Sequence, residues 1–553
     1  MTSLGLRVVF AVGWLLAGVA AQVLPRGCMP DDVLVVVEAS DAVAFVGDLF
    51  VTLGAVPKDL PETVRTEIAL GLTAIRLGLG ATPSVLARQL AQGGFAVGLR
   101  FGKDGAVEML LALRPGDAKA ARAFLLKAGE ALQVVERGEW LFAASSGAGC
   151  DALLAQVAAP NGRWAKWPGA VDLATNAVAA ESPLRAYLDL KALRAHGGLD
   201  QKLANMVGAV RFLLAPMLPA LWSAPRATIE LHAGASLRLT MRAEQAPVAG
   251  DANASTPMAA GDVAVVLPWR ELLVAGQKER TIIAPPDGAL AVLSLDRSVR
   301  KLLEQPEHFL LPAEVTQVQA FLAVADQLDG PRSSFVTDLV GGLVAPFTLY
   351  VLAPTPPFLS DAPLLLLPGI ALLARTQNAQ SERVLSRTAQ VFLLIGNAER
   401  AQRHEAPFVL RKVNDLGDGV HGLTATLPEW RKQTLPPTEY GIEPSLLFGF
   451  DHMVLASNLA AAQAMLLQVK NGAQQALSGD VLLLHGMPIA AAVEQSQRPL
   501  LLARMLDEGE SEATANRFYE IAKGLLRALD FLALRMHASA SHTSFEIELR
   551  RRS

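Results

Sequence analysis

Phe95-Ala96-Val97-Gly98-Leu99-Arg100-Phe101 and Ala106-Val107-Glu108-Met109-Leu110-Leu111-Ala112-Leu113 flank the four residues Gly102-Lys103-Asp104-Gly105. An Asp-Gly pair between two apolar, β-prone runs supplies the positive φ that a tight hairpin needs. A helical pattern follows at once. Asp117 stands where a cap is wanted, and Ala121, Phe124, Leu125, Ala128 and Leu132 recur at three- and four-residue spacing, which draws one apolar stripe along a helix. A second hairpin is expected from residues 133–136 and 140–144 around Arg137-Gly138-Glu139, with another helix from about Asp151. Hairpins build antiparallel sheets, and single helices with one apolar stripe need a sheet to cover. The predicted class is α+β, mainly antiparallel sheet with helices packed on one face, rather than a doubly wound parallel fold.

Read against itself, the chain gives five matches in one order. Pro30-Asp31-Asp32-Val33 and the strand after it resemble Pro286-Asp287-Gly288-Ala289, an offset of 256 from Pro30 to Pro286. Gly93-Gly94 resembles Gly341-Gly342 at 248, and Leu111-Ala112-Leu113-Arg114 resembles Leu372-Leu373-Ala374-Arg375 at 261. Leu141-Phe142-Ala143-Ala144-Ser145 resembles Met453-Val454-Leu455-Ala456-Ser457 at 312, and Leu231-His232-Ala233 resembles Met536-His537-Ala538 at 305. A single jump in offset places an insertion near 395–446. Collinear matches predict two tandem homologous halves, 22–245 and 262–553, joined by a linker at 246–261 that is rich in Ala, Pro, Gly, Ser and Asn. Five segments share a strand-then-helix form: 33–49, 184–196, 263–275, 289–303 and 481–493.

The 553 residues are 51% hydrophobic and only 18% charged, with 49 Lys and Arg against 53 Asp and Glu for a net charge of −4. That balance excludes a disordered chain and a nucleic-acid binder. Residues 1–21 carry Arg7, an uncharged stretch and Val19-Ala20-Ala21 before Gln22, the pattern of a secretory signal peptide; an uncleaved anchor is the alternative. No later segment reads as membrane-spanning, since 339–360 is interrupted by Gly341, Gly342, Pro346, Pro354, Pro356 and Pro357, and 203–224 holds Arg211, Pro216 and Pro219. Cys28 and Cys150 remain after cleavage. An even count in an exported chain permits one disulfide between them; two buried thiols are the alternative.

Chemistry-bearing patterns are sparse. No P-loop, G-x-S-x-G or H-E-x-x-H is present. Gly147-Ala148-Gly149-Cys150-Asp151-Ala152 has the skeleton of a dinucleotide fingerprint, but its strand belongs to an antiparallel hairpin, so an ordinary helix start is expected. Leu484-His485-Gly486 is read as a strand end in the repeated unit. His537 and His542, five apart, would fall on opposite faces of one strand, and His232 and His537 are equivalent under the internal match. Asp507-Glu508-Gly509-Glu510-Ser511-Glu512 reads as a solvated acidic loop rather than a calcium site, and Arg550-Arg551-Arg552 as a solvated tail. No catalytic, cofactor-binding or metal-ligating residue is assigned, and no cofactor.

The signal-peptide pattern, the Pro30-Asp31-Asp32-Val33 opening and units such as Ala186-Tyr187-Leu188-Asp189-Leu190 resemble the large exported proteins of unknown function found in planctomycete-like bacteria. That resemblance transfers no catalytic residues; the expected duplicated α+β scaffold, with no recognisable nucleophile, metal set or phosphate loop, points to an exported, non-catalytic protein of the periplasm or cell envelope, binding or structural, whose partner is an envelope component or a small ligand and not nucleic acid. Two alternatives stay open: a hydrolase of unfamiliar type with a site between the halves, and a carrier of a lipid or other hydrophobic ligand.

Overall fold

A computed structural model describes residues 28–39, 43–46, 48, 62, 65–66, 83–102, 106–128, 132–158, 164, 184–195, 224–244, 280–310, 312–329, 334–354, 367–377, 379–414, 417, 419–428, 442–477, 479–538 and 542–552. The signal segment, the linker, the 103–105 turn and the unit at 263–275 lie outside them. Two compact bodies are present. The first comprises Met1–Lys202, Ala220–Pro247 and Ser544–Arg551, and the second Leu203–Pro219, Val248–Thr543 and Arg552–Ser553.

In the first body the strands are β1 (Val35–Ala39), β2 (Phe95–Phe101), β3 (Val107–Leu113), β4 (Gln133–Arg137), β5 (Trp140–Ala144), β6 (Leu184–Asp189), β7 (Arg226–Ala233) and β8 (Ser236–Glu244), with helices α1 (Pro83–Ala91), α2 (Ala118–Ala128), α3 (Gly147–Ala158) and α4 (Leu190–Ala195). All pairings are antiparallel and give the order β4-β5-β3-β2-β1-β6-β7-β8. Both hairpins read from the sequence are there, and the Asp117 carboxylate accepts the Ala120 amide at 2.9 Å, capping α2. Helix α3 starts four residues before the expected Asp151. Ser146 is the reason, because its hydroxyl accepts the Gly149 amide at 3.0 Å and closes the first turn there.

The second body carries β9 (Arg280–Ile283), β10 (Ala291–Leu295), β11 (Leu343–Leu352), β12 (Gly369–Thr376), β13 (Val409–Val413), β14 (His421–Thr426), β15 (Ser445–Gly449), β16 (His452–Ala456), β17 (Gln474–Leu477), β18 (Asp480–His485) and β19 (Leu529–Ala538). Its helices are α5 (Val299–Glu304), α6 (Pro312–Asp329), α7 (Ala379–Gln402), α8 (Leu459–Lys470), α9 (Gly486–Gln495), α10 (Gln497–Asp507) and α11 (Glu512–Ala528). The last strand, β20 (His542–Arg551), contributes Ser544–Arg551 to the first body. His537 and His542 therefore lie on two strands, β19 and β20, where the sequence reading put them on one.

The two bodies share strand order and register. From β15 the second runs β15-β16-β12-β11-β10-β18-β19, all antiparallel. Val36 faces Gly98 and Tyr187, and Val292 faces Tyr350 and Leu483. Ala112 faces Phe142, and Leu373 faces Val454; Leu184 faces Leu231, and Asp480 faces Met536. These pairs reproduce the offsets of 256, 261, 312 and 305 read from the sequence. On β2 the strand offset is 252, from Gly98 to Tyr350, and an irregularity between Val344 and Thr348 on β11 separates it from the 248 of the glycine pair. The second body adds β14 and β13 outside β15, within the expected insertion.

Helices cover both faces of each sheet, not one. Phe95, Val97, Leu111, Leu113, Leu141 and Ala143 pack with Leu90 of α1 and Ala121 and Leu125 of α2. The alternate residues Ala96, Leu110, Ala112, Phe142 and Ala144 pack with Cys150 and Leu153 of α3. In the second body α8 covers Tyr350, Leu373, Leu447 and Val454, while α7 places Leu385 against Ala374, Phe448 and Met453. The runs Trp140–Ala144 and Ser445–Gly449, buried at every position and apolar except for Ser445, follow from this two-sided burial. Among the described residues no helix is long and apolar enough to cross a membrane.

Candidate functional site

A cleft of about 620 Å³ opens in the first body where α1 runs into β2, β3 runs into α2 and β4 turns into β5. Backbone bonds fix its floor: the Gly93 amide donates to the Arg114 carbonyl at 2.7 Å, the Arg114 amide to the Gly94 carbonyl at 3.0 Å, and the Asp117 amide to the Gln89 carbonyl at 3.0 Å. Two glycines make this close approach feasible. A Cβ on Gly93 would sit inside the Arg114 side chain, and one on Gly116 would strike the Gln92 amide and the Arg88 carbonyl. Gln92, Arg114, Glu136 and Glu139 supply the polar lining, and the Trp140 indole closes one side.

Arg114 and Glu139 form an ion pair through Nη2 and Oε2, with side chains 32% and 56% exposed. An exposed pair of this kind contributes little to stability, on the order of 0–1 kcal/mol. It positions the β4–β5 turn, in which Gly138 holds φ 63°. A guanidinium, two carboxylates and a primary amide can hydrogen-bond a small polar ligand. Among the described residues the lining holds no serine, histidine or cysteine.

The same register positions in the second body are Arg375 for Arg114, Asp451 for Glu139, His452 for Trp140 and Phe448 for Glu136. Burial pulls the His452 imidazole below its ordinary pKa and Arg375 acts in the same direction, while the Phe450 carbonyl and Asp451 oppose. His452 Nδ1 lies 2.6 Å from the Phe450 carbonyl oxygen. The arginine and acid at this turn thus recur in both bodies, whereas Glu136 has an aromatic counterpart.

The other residues singled out by sequence take structural places. Gly149 presses α3 against Ala144, Leu110 and the Glu108 carboxylate, which accepts from Ser146 and from Arg100 Nε at 2.7 Å. A carboxylate at this helix start disfavours a phosphate, in keeping with an ordinary start. Cys28 and Cys150 are buried free thiols that share one core cluster, and burial pushes the Cys28 thiol up to about 11. His485 ends β18 with its Nε2 enclosed and without a hydrogen-bond partner; burial lowers its pKa and Asp530 opposes. His232 and His537 occupy equivalent positions on β7 and β19, and His232 Nε2 lies 3.6 Å from Glu230. In the acidic loop Glu508 and Glu510 pair with Arg504. Among the described residues no group of three or more His, Cys, Asp or Glu is placed to hold a metal ion.

No family model matches the chain, and no curated protein does. A crystal structure of TP0453 is similar at 8% identity, covering 40% of this chain and 79% of that one, with a TM-score of 0.22. A likeness that low carries no argument about fold or function.

Proposed function

We propose that the chain is an exported, non-catalytic binding protein of the bacterial periplasm or cell envelope, built from two copies of one α+β unit, of which the first takes a small polar ligand in the Arg114–Glu139 cleft. The cleft carries this reading: it presents hydrogen-bonding groups of both charges without a nucleophile or a histidine to activate one. The common strand order and register of the two bodies support descent from one unit, and the pattern of residues 1–21 supports export. A hydrolase would need a nucleophile with a base beside it, which this lining does not offer.

The test uses the full chain expressed in a bacterium. Amino-terminal sequencing of the envelope fraction is expected to begin at Gln22. The purified protein should leave a panel of ester, peptide and glycoside substrates unchanged, and a thermal-shift screen of polar metabolites should raise its midpoint with at least one ligand whose effect vanishes in Glu136→Gln. Turnover of any substrate class, or retention in the cytoplasm with residues 1–21 intact, would overturn the proposal.

A further inference from the structure

The geometry points to a protein-interaction surface on the second body, formed by the outer half of α7 and the edge of β13, which takes an extended acidic segment of a partner protein as an added strand. Helix α7 has 24 residues where its counterpart α2 has 11. Its buried residues, Ser381 and Leu385, fall in the part the two helices share. The added turns carry Val391-Phe392-Leu393-Leu394-Ile395, none of them buried, with Leu394 68% and Phe392 45% exposed. A helix in a sheet protein places its apolar face on a core, and here Phe392, Leu394 and Ile395 are exposed and none of 391–395 joins a core cluster among the described residues.

The patch leads directly to a strand edge. Asn397 Nδ2 donates to the Phe408 carbonyl at 2.9 Å, and the Phe408 amide donates to Asn397 Oδ1 at 2.8 Å. Arg400 Nε donates to the Ala406 carbonyl at 2.7 Å, and its guanidinium lies 4.8 Å from the Phe408 ring centroid. The next residue, Val409, opens β13, which among the described residues pairs with β14 alone. Val409 and Leu410 are exposed. An edge with one partner retains a row of backbone donors and acceptors that a further strand can use.

Charge selects the occupant. Residues 379–413 contain six arginines and lysines against three glutamates, in a chain whose net charge is −4. Antiparallel pairing of β13 with a second copy of itself would set Arg411 against Arg411, and like charges directly opposite are unfavourable. An extended segment in which two adjacent acidic residues stand beside two adjacent apolar ones has no such conflict, because successive strand residues face opposite sides. Its acidic groups meet Arg411 and Lys412, and its apolar groups adjoin Val409, Leu410 and the α7 patch. This surface does not involve the cleft of the first body, so either reading can fail alone.

The probe is a fluorescein-labelled peptide of repeated Val-Val-Glu-Glu units, titrated with the full chain and followed by anisotropy. Binding is expected, with at least ~10-fold weaker affinity, about 1.4 kcal/mol, for a lysine-for-glutamate peptide and for one N-methylated at alternate amides. Leu394→Glu and Lys412→Glu should each weaken binding ~10-fold while circular-dichroism melts stay unchanged, because both side chains lie outside the core. No binding of the glutamate peptide, equal binding of the N-methylated one, or a dimer in sedimentation velocity that Leu394→Glu dissociates would each overturn the inference.

Discussion

Arg297 and Asp480 are the most consequential buried charges in the second body, and removing one of them makes a quantitative test of how that body is held. Asp480 opens β18, and Arg297 follows β10, the strand beside it. Asp480 Oδ1 accepts the Asp296 amide at 2.7 Å, while Oδ2 accepts Arg297 Nε at 2.7 Å and Nη2 at 2.5 Å. The side chains are 0% and 1% exposed. Burial pulls the guanidinium below its ordinary pKa and Asp480 opposes that, so deleting the carboxylate strands a buried cation. Breaking a buried pair in this way typically costs ~3–5 kcal/mol. With a urea slope of roughly 3 kcal/mol/M, Asp480→Ala should lower the midpoint of the second body by roughly 1–1.7 M. The counterpart of Asp480 in the first body is Leu184, which shows that the same strand position accepts an aliphatic side chain. The double variant Arg297→Met, Asp480→Leu should therefore recover most of the loss. Circular dichroism in urea measures all three proteins. A fall of less than ~0.3 M for Asp480→Ala, under 1 kcal/mol at that slope, or a double variant no more stable than the single one, refutes the reasoning.

Four further outcomes are expected. Burial pushes the Glu230 carboxyl up, but the His232 hydrogen bond and Arg185, whose Nε donates at 2.9 Å, outweigh it and leave Glu230 below its ordinary value. A depressed carboxyl stabilises above its unfolded pKa of ~4.3 and loses that contribution as pH falls through the folded value, so Glu230→Gln should flatten the decline of the urea midpoint below about pH 5. Phe450 and Asp451 form the two-residue turn between β15 and β16 with φ 55° and 58°; left-handed backbone costs a non-glycine residue ~1–2 kcal/mol, and Phe450→Gly should raise the thermal midpoint. Gly422→Ala should destabilise the insertion, because a Cβ there would overlap the Leu446 carbonyl oxygen and crowd the Leu447 backbone, neither of which can yield. Both thiols should resist an aromatic disulfide reagent in the native protein at pH 8 and react together after unfolding without reductant, since they are buried and unbonded.

What the sequence made legible was local or duplicated. The 95–144 hairpins and α2 follow from turn chemistry and helical spacing within fifty residues. Equivalent places in distant strands were readable where short segments match, so that Leu141 and Met453 or Leu231 and Met536 mark the same place, while the pairing of those strands was not. Contacts without an internal echo were opaque. Arg297 and Asp480 stand 183 residues apart in sequence, and nothing near Asp480 announces a buried partner. The second covered face was missed for a related reason: α3 reads as nearly apolar around its circumference, which conceals the face it buries, while the stripe of α2 drew attention to one face alone. The start of α3 was misplaced because Gly147 and Gly149 look like loop residues until Ser146 is seen to cap them.

The strand order and register that the two bodies share also let scaffold be compared with specialisation within one chain. A residue kept at equivalent positions serves something that both bodies need, and the arginine and acid of the strand turn, Arg114 with Glu139 and Arg375 with Asp451, fall in that class. In the first body the two side chains form the ion pair that ties the turn to β3; in the second the Thr376 amide, donating to the Asp451 carbonyl at 2.9 Å, makes the corresponding tie. Glu136 belongs to the other class. Its counterpart Phe448 is fully buried and stacks on His421 with ring centroids 5.7 Å apart, because β14 covers that edge in the second body while β4 in the first pairs only with β5 among the described residues. The carboxylate is exposed where the edge is uncovered and replaced by a core aromatic where the insertion covers it. The strands β13 and β14 thus go together with the buried aromatic that stands in place of Glu136 in the second body and with the strand edge beside α7.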